Sequence, residues 1–110
     1  MAFDEDLANR VREIVGGTDG LTEKLMFGGL AFLINGHMAV TASRQGGLLV
    51  RVEPEETEKL LARAHVHPFE MRGRELHGWL RVAPEGLRTK RQLEGWMHRC
   101  LAYARTLPPK

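Results

Sequence analysis

Three histidines, one cysteine, a run of carboxylates and a tryptophan among arginines are the residues whose types and spacing suit chemistry. His65 and His67 stand two apart. On an extended segment they would share one side, and with His77 or Glu70 they could hold a divalent ion. A zinc site needs four ligands, or three and a water, and Cys100 lies in a distant helical stretch, so no metal ligand or cofactor is assigned. Cys100 falls inside an apolar stripe without an activating neighbour and reads as a small buried apolar residue. Glu55, Glu56 and Glu58 follow Pro54 at a helix start, where the positive end of the helix dipole accounts for them. Asp19 lacks the alternating oxygen ligands and distal glutamate of a calcium loop. There is no Ser/His/Asp order with local motifs, no phosphate loop and no dinucleotide fingerprint. No catalytic residue is assigned; a metal or enzymatic protein built on His65, His67 and His77 stands as the third alternative.

The remaining chemistry is recognition. Trp79 lies among Arg72, Arg74 and Arg81, a combination favoured at binding hot spots, and these four are the predicted partner contacts. The alternative for Trp79 is packing, either beneath a helix or in a dimer. Arg88, Lys90 and Arg91 crowd the start of the last helix, where each positive charge is unfavourable against the dipole by about 0.3 kcal/mol. They are the predicted phosphate contacts. Net charge is only +2, yet from Met71 on nine positive charges face three carboxylates. Such asymmetry marks a nucleic-acid face, self-association between acidic and basic surfaces, or plain solvated surface. Arg51 reads as a solvated strand charge.

These residues need elements to hold them. Asp4 is a predicted N-cap for a helix carrying Leu7, Val11, Ile14 and Val15, ended by Gly16-Gly17. Leu25 to Ile34 is almost wholly apolar and predicts one strand buried on both faces, interrupted by Gly28-Gly29 as a bulge, bend or close backbone approach. Asn35-Gly36 predicts a type I′ turn into His37–Ser43, and Leu48–Val52 forms the third strand. Glu53-Pro54 opens a connector helix whose Leu60 and Leu61 pack inward, with Thr57 and Ala64 widening the stripe. A second hairpin turns at Gly73; Leu76, Gly78, Leu80 and Val82 are placed on one face, and His77, Trp79 and Arg81 on the other. Thr89-Lys90-Arg91-Gln92 matches a capping box, and Leu93, Trp96, Met97, Cys100, Leu101 and Ala104 form a helical core stripe.

Met26-Phe27-Gly28-Gly29-Leu30-Ala31-Phe32, Asn35-Gly36-His37-Met38, Gly47-Leu48-Leu49-Val50-Arg51-Val52, Met71-Arg72-Gly73-Arg74 and Gly78-Trp79-Leu80-Arg81-Val82 occur in order. Together, from about Thr22 to Leu107, they resemble the N-terminal domain of the TfoX/Sxy family. The resemblance implies an α+β domain related to the secretion-chaperone folds. In the founding members it implies a regulator of natural-competence genes that acts with the cyclic-AMP receptor protein and carries a second, helical C-terminal domain. It supplies no catalytic residues.

The expectation is thus one α+β domain over 1–110, with 104–110 partly a frayed tail. Its order is helix, three-strand meander, helix, two-strand hairpin, helix, with a mostly antiparallel sheet under the helices. The expected function is a non-enzymatic regulatory or adaptor domain that dimerises and binds a protein such as a transcription factor. The second alternative is direct nucleic-acid binding through residues 71–110, although no helix-turn-helix, zinc-finger or RNA-recognition motif supports it. A single cysteine excludes an internal disulfide, and no leader precedes Asp4, so a reduced, cytoplasmic setting is expected. No apolar run approaches the roughly 18 residues a bilayer crossing needs.

Overall fold

The Asp4 carboxylate accepts a hydrogen bond from Leu7 N at 3.1 Å and caps α1, Glu5–Val15, in a computed structural model that describes residues 4–26 and 28–109. Leu7, Ala8, Val11 and Val15 are the buried stripe of that helix. Four strands then run as an antiparallel meander: β1 (Leu21–Met26), β2 (Gly29–Ile34), β3 (His37–Ala42) and β4 (Leu48–Arg51). Asn35 and Gly36 take φ 51° and 87°, the double positive φ that a type I′ turn requires, and reverse the chain between β2 and β3.

The meander has one strand more than the sequence reading, because Leu25–Ile34 is two strands. Met26 pairs with Gly29, so β1 and β2 are two antiparallel strands, with Phe27 outside the described residues. Gly29 is the close backbone approach: a Cβ there would stand 2.2 Å from the Ala42 carbonyl oxygen. An unbroken apolar run hides such a reversal, since periodicity does not register a turn whose flanks are both apolar. Burial on both faces holds for β2 and fails for β1, an edge strand whose Leu25 is 69% exposed. Arg12 of α1 braces this edge, its Nε and Nη2 donating to the two Glu23 oxygens at 2.9 and 2.8 Å.

A 3₁₀ turn at Pro54–Glu56 leads into α2, Thr57–Leu61. It is shorter than the periodicity predicts. The chain leaves the helix at Ala62 and reaches a left-handed His65, φ 68°, so Ala64 is exposed and widens no stripe. Strands β5 (Val66–Met71) and β6 (Arg74–Val82) form the second hairpin, and β6 pairs with β4. All six strands therefore make one antiparallel sheet in the order β1-β2-β3-β4-β6-β5. A second 3₁₀ turn, Pro84–Leu87, delivers the chain to α3, Lys90–Thr106. Thr89 and Gln92 make the expected reciprocal capping box.

The protein is α+β, with three α-helices and a six-stranded sheet over the described residues. Its main core lies between one sheet face, including Phe32, Ile34, Val40, Val50 and Leu80, and the helical residues Val11, Val15, Leu93, Met97 and Cys100. Each fully buried large apolar side chain contributes about 1.5–3 kcal/mol. α3 continues through buried Ala104 to Thr106, and His37 Nε2 donates to the Pro108 carbonyl at 2.5 Å beyond it. Among the described residues no helix is long and apolar enough to cross a membrane.

Candidate functional site

The sheet has a second face, and among the described residues no helical residue enters its apolar cluster. Buried Ala31, Met38 and Leu49 form the centre, with half-buried Met26, Leu33, Phe69 and Trp79 packed against them. Leu49 and Trp79 reach this face because they alternate with the inward Leu48, Val50 and Leu80 on paired strands β4 and β6. At the hairpin end, Phe69, Met71, Leu76 and Trp79 enclose a small apolar depression of about 90 Å³. Met71 is 41% exposed there.

Leu76 was expected on the inner face with Leu80 and Val82, and the structure puts it against Trp79 instead. The reason is Gly78, whose φ of 87° breaks the pleat between them. The same residue fixes the hairpin to the body: its amide donates to Thr57 Oγ1 at 2.8 Å and its carbonyl accepts from Val52 N at 2.8 Å. Trp79 is consequently neither a core residue beneath a helix nor a free anchor. Its ring centroid is 6.5 Å from that of Phe69.

Arginines rim the apolar strip. Arg81 pairs across β6 with Leu49 and His67, Arg74 pairs with Met71, and Arg72 occupies the hairpin turn with φ 54°. Arg51, opposite Trp79 on β4, holds its guanidinium carbon 5.1 Å from the Trp79 ring and 5.7 Å from the Tyr103 ring of α3. That is a cation–π contact, not a solvated strand charge. Sequence reasoning missed Arg51, Phe69 and Leu49; the register that sets Arg51 opposite Trp79 was the missing information. No ion pair among the described residues engages Arg51, Arg72, Arg74 or Arg81. Glu70 and Glu75 sit directly opposite each other in the same hairpin.

The structure separates the other candidates. Arg88, Lys90 and Arg91 are exposed at the start of α3, away from the Trp79 strip; Arg10 Nη2 donates to the Leu87 carbonyl at 2.7 Å just before them. His65, His67 and His77 each border a different depression. The left-handed His65 breaks the extended geometry that would have set it beside His67. Among the described residues no group of three His, Cys, Asp or Glu could hold a metal ion. Glu55 and Glu58 lie exposed about the 3₁₀ turn and α2, while Glu56 accepts from Arg99 Nη1 at 2.9 Å. Cys100 is fully buried, and burial pushes its thiol up to about 12, against smaller opposing effects of the Arg51 backbone and Arg99 charge. Glu23 is held below the usual carboxylate range, chiefly by its hydrogen bond from Arg12.

No curated protein and no solved structure matched the chain. The model of the TfoX N-terminal domain matches residues 13–104, a span that holds all six strands, the end of α1 and most of α3, and the chain belongs to that family.

Proposed function

We propose that this chain is a non-enzymatic regulatory domain that acts by docking another protein on the outer face of its sheet. Membership of the TfoX N-terminal family gives it the character of a competence-regulator-like domain. The observation that carries the docking reading is the partly exposed apolar end of this face, where Phe69, Met71, Leu76 and Trp79 enclose a depression with no helical residue in its lining among the described residues, beside the buried Met38 and Leu49. Contiguous apolar surface with a polar rim is the signature of an interaction site, and Trp beside Arg is its usual energetic centre.

The charge on the rim selects the occupant. Arg51, Arg72, Arg74 and Arg81 outnumber Glu70 and Glu75, so the partner is a different protein that presents an apolar segment flanked by carboxylates. A second copy of this chain would bring a rim of the same net positive charge against its own.

The test is genetic and biochemical together. A chromosomal Trp79→Ala, Arg81→Glu double variant should reproduce the transcript changes of a deletion strain while the protein stays at wild-type abundance and retains a cooperative unfolding transition. A wild-type transcript profile from that strain would contradict the reading.

A further inference from the structure

On the helical side of the molecule a cleft of about 300 Å³ opens between the loop after α2 and the first turns of α3. Arg63, His65, Arg91 and Arg99 line it, Trp96 and Gly95 also border it, and among the described residues no carboxylate belongs to its lining. Arg99 spends Nη1 on Glu56 at 2.9 Å, and no ion pair among the described residues engages Arg63 or Arg91. The Arg63 guanidinium carbon stands 5.6 Å from the Trp96 ring centroid, a cation–π contact that places the group and leaves its N–H donors for a ligand.

The backbone keeps this cleft open. His65 adopts a left-handed conformation that side-chain-bearing residues seldom take, and its carbonyl accepts from Ala83 N at 2.8 Å. Gly86 sits so close beneath it that a Cβ would come within 3.1 Å of the His65 Cβ. Gly95 is the converse case. Glycine weakens a helix interior, yet a Cβ at 95 would meet no atom within 4 Å, so packing does not require its absence. What the bare position does is leave the cleft wall clear.

We infer that this cleft binds a phosphate group carried by a small molecule, with Arg63, Arg91 and Arg99 donating to its oxygens. A terminal phosphate offers three oxygens to the guanidinium donors that line the cleft, whereas a single carboxylate offers two. The volume sits at the small end of ligand sites. The inference is independent of the docking face, since none of its residues lies on that face.

The test is a titration of ¹⁵N-labelled wild-type protein with pyrophosphate at constant ionic strength, followed by amide and indole resonances. Saturable shifts are expected at Gln92, Gly95 and the Trp96 indole, with the Trp79 indole unmoved. Arg63→Ala and Arg91→Ala should each weaken binding about tenfold, the scale of one charge-assisted hydrogen bond. Gly95→Ala should weaken it too while raising the thermal midpoint, and Arg105→Ala should leave it unchanged. Shifts that never saturate, an undiminished response in the Arg63→Ala, Arg91→Ala double variant, or equal shifts from citrate would overturn the inference. Duplex DNA moving these resonances where pyrophosphate does not would overturn it in favour of a nucleic-acid backbone contact.

Discussion

At the scale of single residues, Thr57 of α2 anchors the strand that carries Trp79. Buried to 5% exposure, its hydroxyl donates to the Pro54 carbonyl at 2.7 Å and accepts from Gly78 N at 2.8 Å, tying the hairpin base to α2. Thr57→Val keeps the shape and leaves the Gly78 amide without an acceptor, so urea unfolding should show a loss of about 1–3 kcal/mol. Cys100 makes a different prediction. Its thiol is neutral when protonated, and burial raises its folded pKa to about 12 from the ordinary 9.0. The resulting contribution to stability is complete below about pH 9 and is lost as pH rises from there towards 12. A thiol reagent at pH 8 should react no faster than the protein opens globally, and at once in denaturant; prompt native reaction would contradict burial. Cys100 was legible in the sequence because five other apolar residues at helical spacing surround it. Arg51 and Arg63 were not, because each is defined by an aromatic ring far away in sequence, Trp79 in one case and Trp96 in the other.

At the scale of elements, α3 was the most legible and the second strand region the least. Every residue of the predicted stripe Leu93, Trp96, Met97, Cys100, Leu101 and Ala104 is buried, and the capping box forms as spaced. Local rules suffice there: Thr89→Ala should cost about 1 kcal/mol through the lost cap, read from thermal or urea unfolding. Gly95→Ala should stabilise by about 0.5–1 kcal/mol, since the helix gains propensity and the new methyl meets nothing. A destabilised Gly95→Ala protein would mean that the open wall is structurally required. In contrast, the run through Leu25 and Ile34 carries no polar punctuation, so the β1–β2 reversal depended on a tertiary fact, the Ala42 carbonyl lying against Gly29. Gly78 likewise hid a change of face that pure alternation assigned wrongly to Leu76.

At the scale of the whole molecule, one sheet separates two sides with different chemistry. The helices cover one face and leave the arginine cleft in their midst; the other face is apolar, aromatic and rimmed by arginine. The α+β class and the second hairpin were legible in the sequence. Which way Trp79 faces depended on the pairing of β4 with β6, a long-range register that no local pattern encodes. The most direct measurement is therefore position-resolved photo-cross-linking in the source cells. A photoreactive residue would replace exposed Met71 or His77 beside the apolar strip, and in a control Ala102 on α3. The expected result is one discrete adduct from the hairpin positions, absent from position 102, abolished by Arg81→Glu, and with cross-linked peptides from a different protein that carry carboxylates around an apolar segment. An adduct of the chain with itself, or adducts from position 102 alone, would contradict the account.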